Sequence, residues 1–188
     1  SIAANGSPQQ IVFYSKTIGH EEILSLNENE FRLQRKYLAG PFSFEFKIWN
    51  RDADELKALA NETGNIVKNV KTDLDELCGI SIYRDNIRVL PYGNRNNDWV
   101  RLDMRRVNNP TLRLSNNQIV GYIAIGIDSN PLLKDQSNRE GIVESQAFED
   151  IKDYIKLIFN EVEQRRYAER PREYQKKSTK SLFEAFSL

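Results

Sequence analysis

Between Pro41 and Trp49 the large apolar side chains fall on every second position. Phe42, Phe44, Phe46 and Ile48 alternate with Ser43, Glu45 and Lys47. Period two with aromatic and β-branched residues on one parity predicts a strand with a single buried face. A second run, Gln118 to Ile127, puts Ile119, Ile123, Ile125 and Ile127 on one face, with Gly121 and Gly126 as points of close approach. Phe148, Ile151, Ile155, Ile158 and Val162 recur at steps of 3, 4, 3 and 4. That spacing predicts an amphipathic helix running to about Glu169, with Pro171 stopping it. One-faced strands and a one-striped helix bury their apolar surfaces against each other. The expectation is a two-layer α+β domain: a mixed sheet with helices on one face.

Local signals fill in part of the rest. Ile11 to Tyr14 reads as a short strand, and residues 15–40 follow no clear period. Asn50-Arg51-Asp52 reads as a turn and cap before a helix over Ala53 to Glu62, which Gly64 ends in a left-handed conformation. Residues 65–76 are ambiguous. Ile80 to Tyr83 and Ile87 to Leu90 read as a hairpin about Asp85-Asn86. Residues 94–117, rich in Asn and Arg, read as a long exposed loop. Residues 128–144 read as a polar loop.

The 188 residues suit one domain with an appendage. Residue 1 is Ser and the single Met is Met104, so a native start is expected to be missing. The division expected is 1–10 as a polar leader of little structural value, 11–170 as the domain, and 171–188 as a tail or the start of a next segment. Lys plus Arg and Asp plus Glu are 27 each, which gives no general attraction to nucleic acid or anionic membrane. No run approaches the roughly 18 apolar residues that a membrane span needs. Cys78 is the only cysteine, so no internal disulfide forms, and a reducing, cytoplasmic setting is expected. Cys78 itself reads as a small buried residue.

The chain lacks G-x-x-x-x-G-K-[ST], G-x-G-x-x-G and H-E-x-x-H. Its one histidine, His20, excludes any mechanism needing two, and reads as an ordinary surface or structural side chain. Arg101, Arg105, Arg106 and Arg113 cluster near Trp99. They read as a plain solvated loop, as an interface, or as a nucleic-acid surface, with Asp98 and Asp103 diluting the charge.

Two stretches together carry a resemblance. The first is Leu77 to Gly93 (LCGISIYRDNIRVLPYG), followed by Asp98-Trp99, and the second is Leu114 to Tyr122 (LSNNQIVGY), leading into Asn130 to Gly141 (NPLLKDQSNREG). Over roughly residues 41–165 the chain resembles the segment that follows the ATP-binding half in bacterial histidine-kinase-, gyrase- and heat-shock-like (GHKL) ATPases. Its hairpin is similar to that of MORC-type ATPases. The resemblance implies a transducer domain with the fold of a ribosomal protein's second domain. In such domains a loop carries a basic residue to the terminal phosphate of ATP held next door.

In the ninety-kilodalton heat-shock chaperones that loop reads N-[IVL]-S-R-E. Gln136-Ser137-Asn138-Arg139-Glu140 looks similar, with Arg139 in the arginine's place. Val143 stands where the chaperones have a Gln, so that second contact is not carried over. The resemblance thus implies phosphate contact by Arg139, with Asn138, Gln136 and Lys134 as further candidates; Lys134 is the substitute, because some relatives use a lysine. The bland reading of Arg139 and Glu140 is a local ion pair or a loop cap. ATP and Mg2+ would be held by an N-terminal domain of the parent chain, because the E-x-x-x-N and D-x-G-x-G motifs are not paired here. The fragment alone is expected to bind neither well and to have no catalytic residue; the parent would be an ATPase or kinase-like protein. Expected partners are that ATP-binding domain or a homodimer mate, with no membrane. The competing readings are a non-catalytic interaction module and a nucleic-acid-binding domain using 94–117.

Overall fold

The computed structural model describes residues 1–7, 11–15, 20–23, 35–137 and 140–169. Its strands are β1 (Val12–Ser15), β2 (His20–Ile23), β3 (Ser43–Ile48), β4 (Gly79–Arg84), β5 (Ile87–Val89) and β6 (Ile119–Ile125). Its helices are α1 (Ala53–Thr63), α2 (Val67–Leu77), α3 (Leu102–Asn108) and α4 (Gln146–Glu169). β1 and β2 pair as a separate antiparallel ribbon, while the main sheet has the order β3-β6-β4-β5. β6 runs antiparallel to β3 and parallel to β4, and β4–β5 is a hairpin. The protein is therefore α+β, a mixed sheet backed by helices.

Alternation sorts the sheet into two faces. The register aligns Phe44 with Ile123, Ile82 and Val89 in one row, and Phe46 with Gly121 and Ile80 in the next. This face carries the core, and Phe148, Ile151, Ile155, Ile158 and Phe159 of α4 pack into the same buried cluster. α3 lies beside α4, joined by an ion pair from Arg105 to Glu163. Phe42 is fully buried, but Phe44, Phe46 and Ile48 are half-buried, because β3 is an edge strand. Gly121 explains how Phe46 fits: a Cβ there would lie 2.5 Å from the Phe46 ring. The bare backbone gives that ring its seat.

Several local signals act as expected. The Asp52 side chain accepts the Glu55 N–H at the start of α1, and Gly64 ends the helix at φ 64°. Asp85 and Asn86 both have positive φ, at 47° and 68°, which fits the primed turn that a two-residue hairpin requires. The helix over 148–162 is α4, although Pro171 and the 171–188 tail lie outside the described residues.

The stretch 65–76, which the sequence leaves open, is largely helix α2. Two expectations need correction. The stretch 94–117 is not a long exposed loop: it contains α3 and buries Val100, Leu102 and Leu114 in the main core. Ile2, placed in a leader of little structural value, is a core residue 1% exposed. Its N–H and C=O exchange hydrogen bonds of 2.9 and 3.1 Å with Phe42 and extend the edge of the sheet.

Candidate functional site

The segment from β6 to α4 carries the residues singled out for phosphate contact. It leaves the sheet through Asn130, whose side chain is used completely by its neighbours. Its Nδ2 donates to the carbonyls of Ala39 and Pro41 at 2.6 and 2.9 Å, and its Oδ1 accepts the Gly126 N–H at 2.8 Å. Leu133, 3% exposed, then plugs into the core. Beyond it the chain doubles back as a short two-stranded stem. Asp135 bridges Ile142, the Gln136 N–H donates to the Gly141 carbonyl at 2.9 Å, and the Val143 N–H donates to the Lys134 carbonyl at 2.8 Å.

Two side chains from the β4–β5 region hold this stem. Arg84 Nη1 pairs with Asp135 at 2.7 Å and Nη2 donates to the Leu133 carbonyl at 2.7 Å. The Tyr92 hydroxyl accepts the Ile142 N–H at 2.9 Å. Burial pushes the Tyr92 phenol pKa up, with the hydrogen bond from Ile142 acting in the other direction. The phenol therefore stays neutral at physiological pH.

The four residues singled out separate into two groups. Lys134 and Gln136 sit on one side of the stem. Lys134 is exposed, and no salt bridge engages it among the described residues. It lines a concavity of about 520 Å³ at the loop's foot, together with Arg84, Asp128 and Asp135. Gln136 is half-buried and donates through Nε2 to the Ile142 carbonyl at 3.3 Å, so its amide braces the loop itself. Asn138 and Arg139 lie outside the described residues. Ser137 and Glu140, on either side of them, are exposed.

The arginines of 94–117 do not form the continuous basic surface that nucleic-acid binding would need. Arg105 and Arg113 turn inward and share Glu163 of α4 at 2.9 and 2.6 Å. Arg106 reaches the Gln118 side chain at 3.4 Å. Trp99 stacks on Phe148 with ring centroids 5.3 Å apart and donates to the Ile80 carbonyl, so it is a core residue. Cys78 is buried, and burial raises its thiol pKa. His20 lies on β2.

Sequence reasoning overlooked the second face of the sheet. The residues between the apolar ones, Lys47, Ser81, Tyr83, Arg88 and Tyr122, line an open concavity of about 530 Å³ with Arg95 at its rim. Tyr83 and Tyr122 meet edge to face at 5.9 Å. Part of the signal lies in the polar parity of the β3 run, Glu45 and Lys47.

Among the described residues no group of three or more His, Cys, Asp or Glu is placed to hold a metal ion, and no helix is long and apolar enough to cross a membrane. Comparison with known protein families, with curated proteins and with solved structures finds no match.

Proposed function

We propose that this chain is the transducer-type domain of a GHKL ATPase or kinase-like protein, in which Arg139 reports the terminal phosphate of ATP bound by an adjoining domain. The observation that carries this reading is the stem. Backbone bonds at Gln136 and Val143 and side-chain bonds from Arg84 and Tyr92 brace the loop on both sides of residues 137–140. A loop meant only to connect β6 to α4 needs no such bracing, whereas a loop that must offer a cation at a set place does. A guanidinium presents a planar fork of donors matched to phosphate oxygens, and it stabilises charge developing on a transferring phosphoryl group. ATP and Mg2+ belong to the adjoining half, and Lys134, exposed at the loop's foot, is the substitute cation.

The test is ATP and ADP affinity in the complete protein carrying Arg139→Ala. A charge-assisted bond of this kind is worth roughly 1.5–3 kcal/mol. The variant is expected to lose ATP affinity by about ten- to a hundredfold and to keep its ADP affinity. Arg139→Lys restores only part, since it supplies charge without the fork. Equal losses for both nucleotides mean a folding defect. No loss for either leaves the loop a connector and favours a non-catalytic interaction module.

A further inference from the structure

Arg84 occupies a position where alternation calls for an apolar side chain. Ile80 and Ile82 precede it on the same parity of β4, both at most 1% exposed, and Arg84 itself is 8% exposed. A guanidinium placed there loses its hydration and must recover it from neighbours. Both neighbours it finds belong to the stem or the residue leading into it: the Asp135 carboxylate and the Leu133 carbonyl, each at 2.7 Å. Its Nε is buried and meets no partner, so the group is aimed at the stem rather than satisfied in general.

Tyr92 works from the other side. Its ring is wedged against Trp99 and Phe148 at centroid distances of 5.3 and 5.7 Å, which fixes where the hydroxyl points. That hydroxyl accepts the Ile142 N–H, and Gly141 passes so close that a Cβ would lie 3.1 Å from it. Gly141 also has φ 110°, a region that favours glycine. The loop is thus clamped at Leu133–Asp135 by one side chain and at Gly141–Ile142 by another. Both clamps come from the hairpin β4–β5 and the turn after it.

We propose that Arg84 and Tyr92 are positioning residues, which hold the two sides of the stem, 133–136 and 141–143, in place before a phosphate is met. This rests on the function proposed above. Ordering a loop at the moment of binding costs affinity, and prior ordering removes that cost.

Tyr92→Phe is the cleanest probe, because the ring packing stays and only the acceptor goes. Asp135→Asn probes the other clamp at a half-exposed side chain, so neither test depends on a drastic core change. The first readout is backbone amide exchange of this chain. Each variant is expected to speed exchange at Gln136 and Val143 by about three- to tenfold, the worth of one hydrogen bond, and to leave Ile82 and Ile123 unchanged. Unchanged exchange at Gln136 and Val143 overturns the proposal. Equal acceleration at Ile82 and Ile123 overturns it too, since Tyr92 and Asp135 would then support the whole fold. The second readout is nucleotide affinity of the complete protein, where Tyr92→Phe is expected to reduce the ATP-over-ADP preference severalfold with ADP affinity intact. If that preference survives Tyr92→Phe but falls in Arg139→Ala, positioning fails and the phosphate reading stands. If it survives Arg139→Ala, the phosphate reading itself fails, and positioning with it.

Discussion

Glu163 shows how much a single residue can decide here. It is fully buried on α4, takes charge-assisted bonds from Arg105 and Arg113, and accepts the Leu114 N–H at 2.9 Å. One carboxylate thereby ties α3 and the segment after it to the helical layer. Glu163→Ala leaves two guanidinium groups without their carboxylate, sharing only the Asn160 side-chain oxygen, and breaking a buried pair costs about 3–5 kcal/mol. The arginines are 18% and 27% exposed and can partly reach water, which places the loss toward the lower end. Urea unfolding measures it, and an unchanged midpoint would show that the cluster is ornamental. This pairing was not legible in the sequence. Arg113 and Glu163 are 50 positions apart, and no periodicity links them, so the arginines read as a surface patch. The same limit applies to the candidate site. Lys134, Gln136 and Arg139 stand out as a motif, whereas Arg84 and Tyr92 belong to a different stretch, and only folding brings them to the stem.

Elements with strong periodicity were legible, and those held by partners were not. β3, β6 and α4 each carry an apolar pattern matched to their own period, and the structure places all three around one core. α2 follows Ile66, which offers no side-chain cap, and leaves Val67 and Leu77 exposed, so its stripe is blurred. α3 has seven residues, and its capping carboxylate, Asp98, sits before Arg101 rather than at the cap position. Pattern also misjudges depth, since it cannot tell an edge strand from a central one. Ile155 on α4 is completely buried and Phe44 on β3 is only half-buried, although both look equally central in sequence. Ile155→Ala is expected to cost about 2–5 kcal/mol, and Phe44→Ala roughly half of what a fully buried Phe would lose. Thermal melting of the two variants checks the order; a larger loss from Phe44→Ala would mean that the edge of the sheet is covered in solution.

At the scale of the whole molecule the apolar residues divide into two clusters of unequal size. The large one joins the sheet to α3 and α4. The small one contains Leu56, Ala60, Val70 and Leu74, with Trp49 and Leu59 against it, and holds α1 to α2. The pair is tied to the rest by Arg51, which donates to the Asn117 carbonyl at 2.8 Å and pairs with Asp75, and by the chain running from α2 into β4. A cluster with so few buried side chains opens at lower free energy than the main core, because local stability follows buried apolar contacts. Amides of α1 and α2 are therefore expected to exchange through a local opening, while those of β4, β6 and α4 wait for global unfolding. Leu74→Ala separates this from ordinary destabilisation. It removes a side chain 8% exposed from the small cluster only, so protection in α1 and α2 falls while Ile82, Ile123 and Ile155 keep theirs. A uniform fall across all five elements would make the molecule one cooperative unit. A selective fall would mark α1–α2 as a part that can move while the sheet, the stem and α4 stay in place. The relay of nucleotide state proposed above needs such a part, because a single rigid core has no second arrangement to pass on.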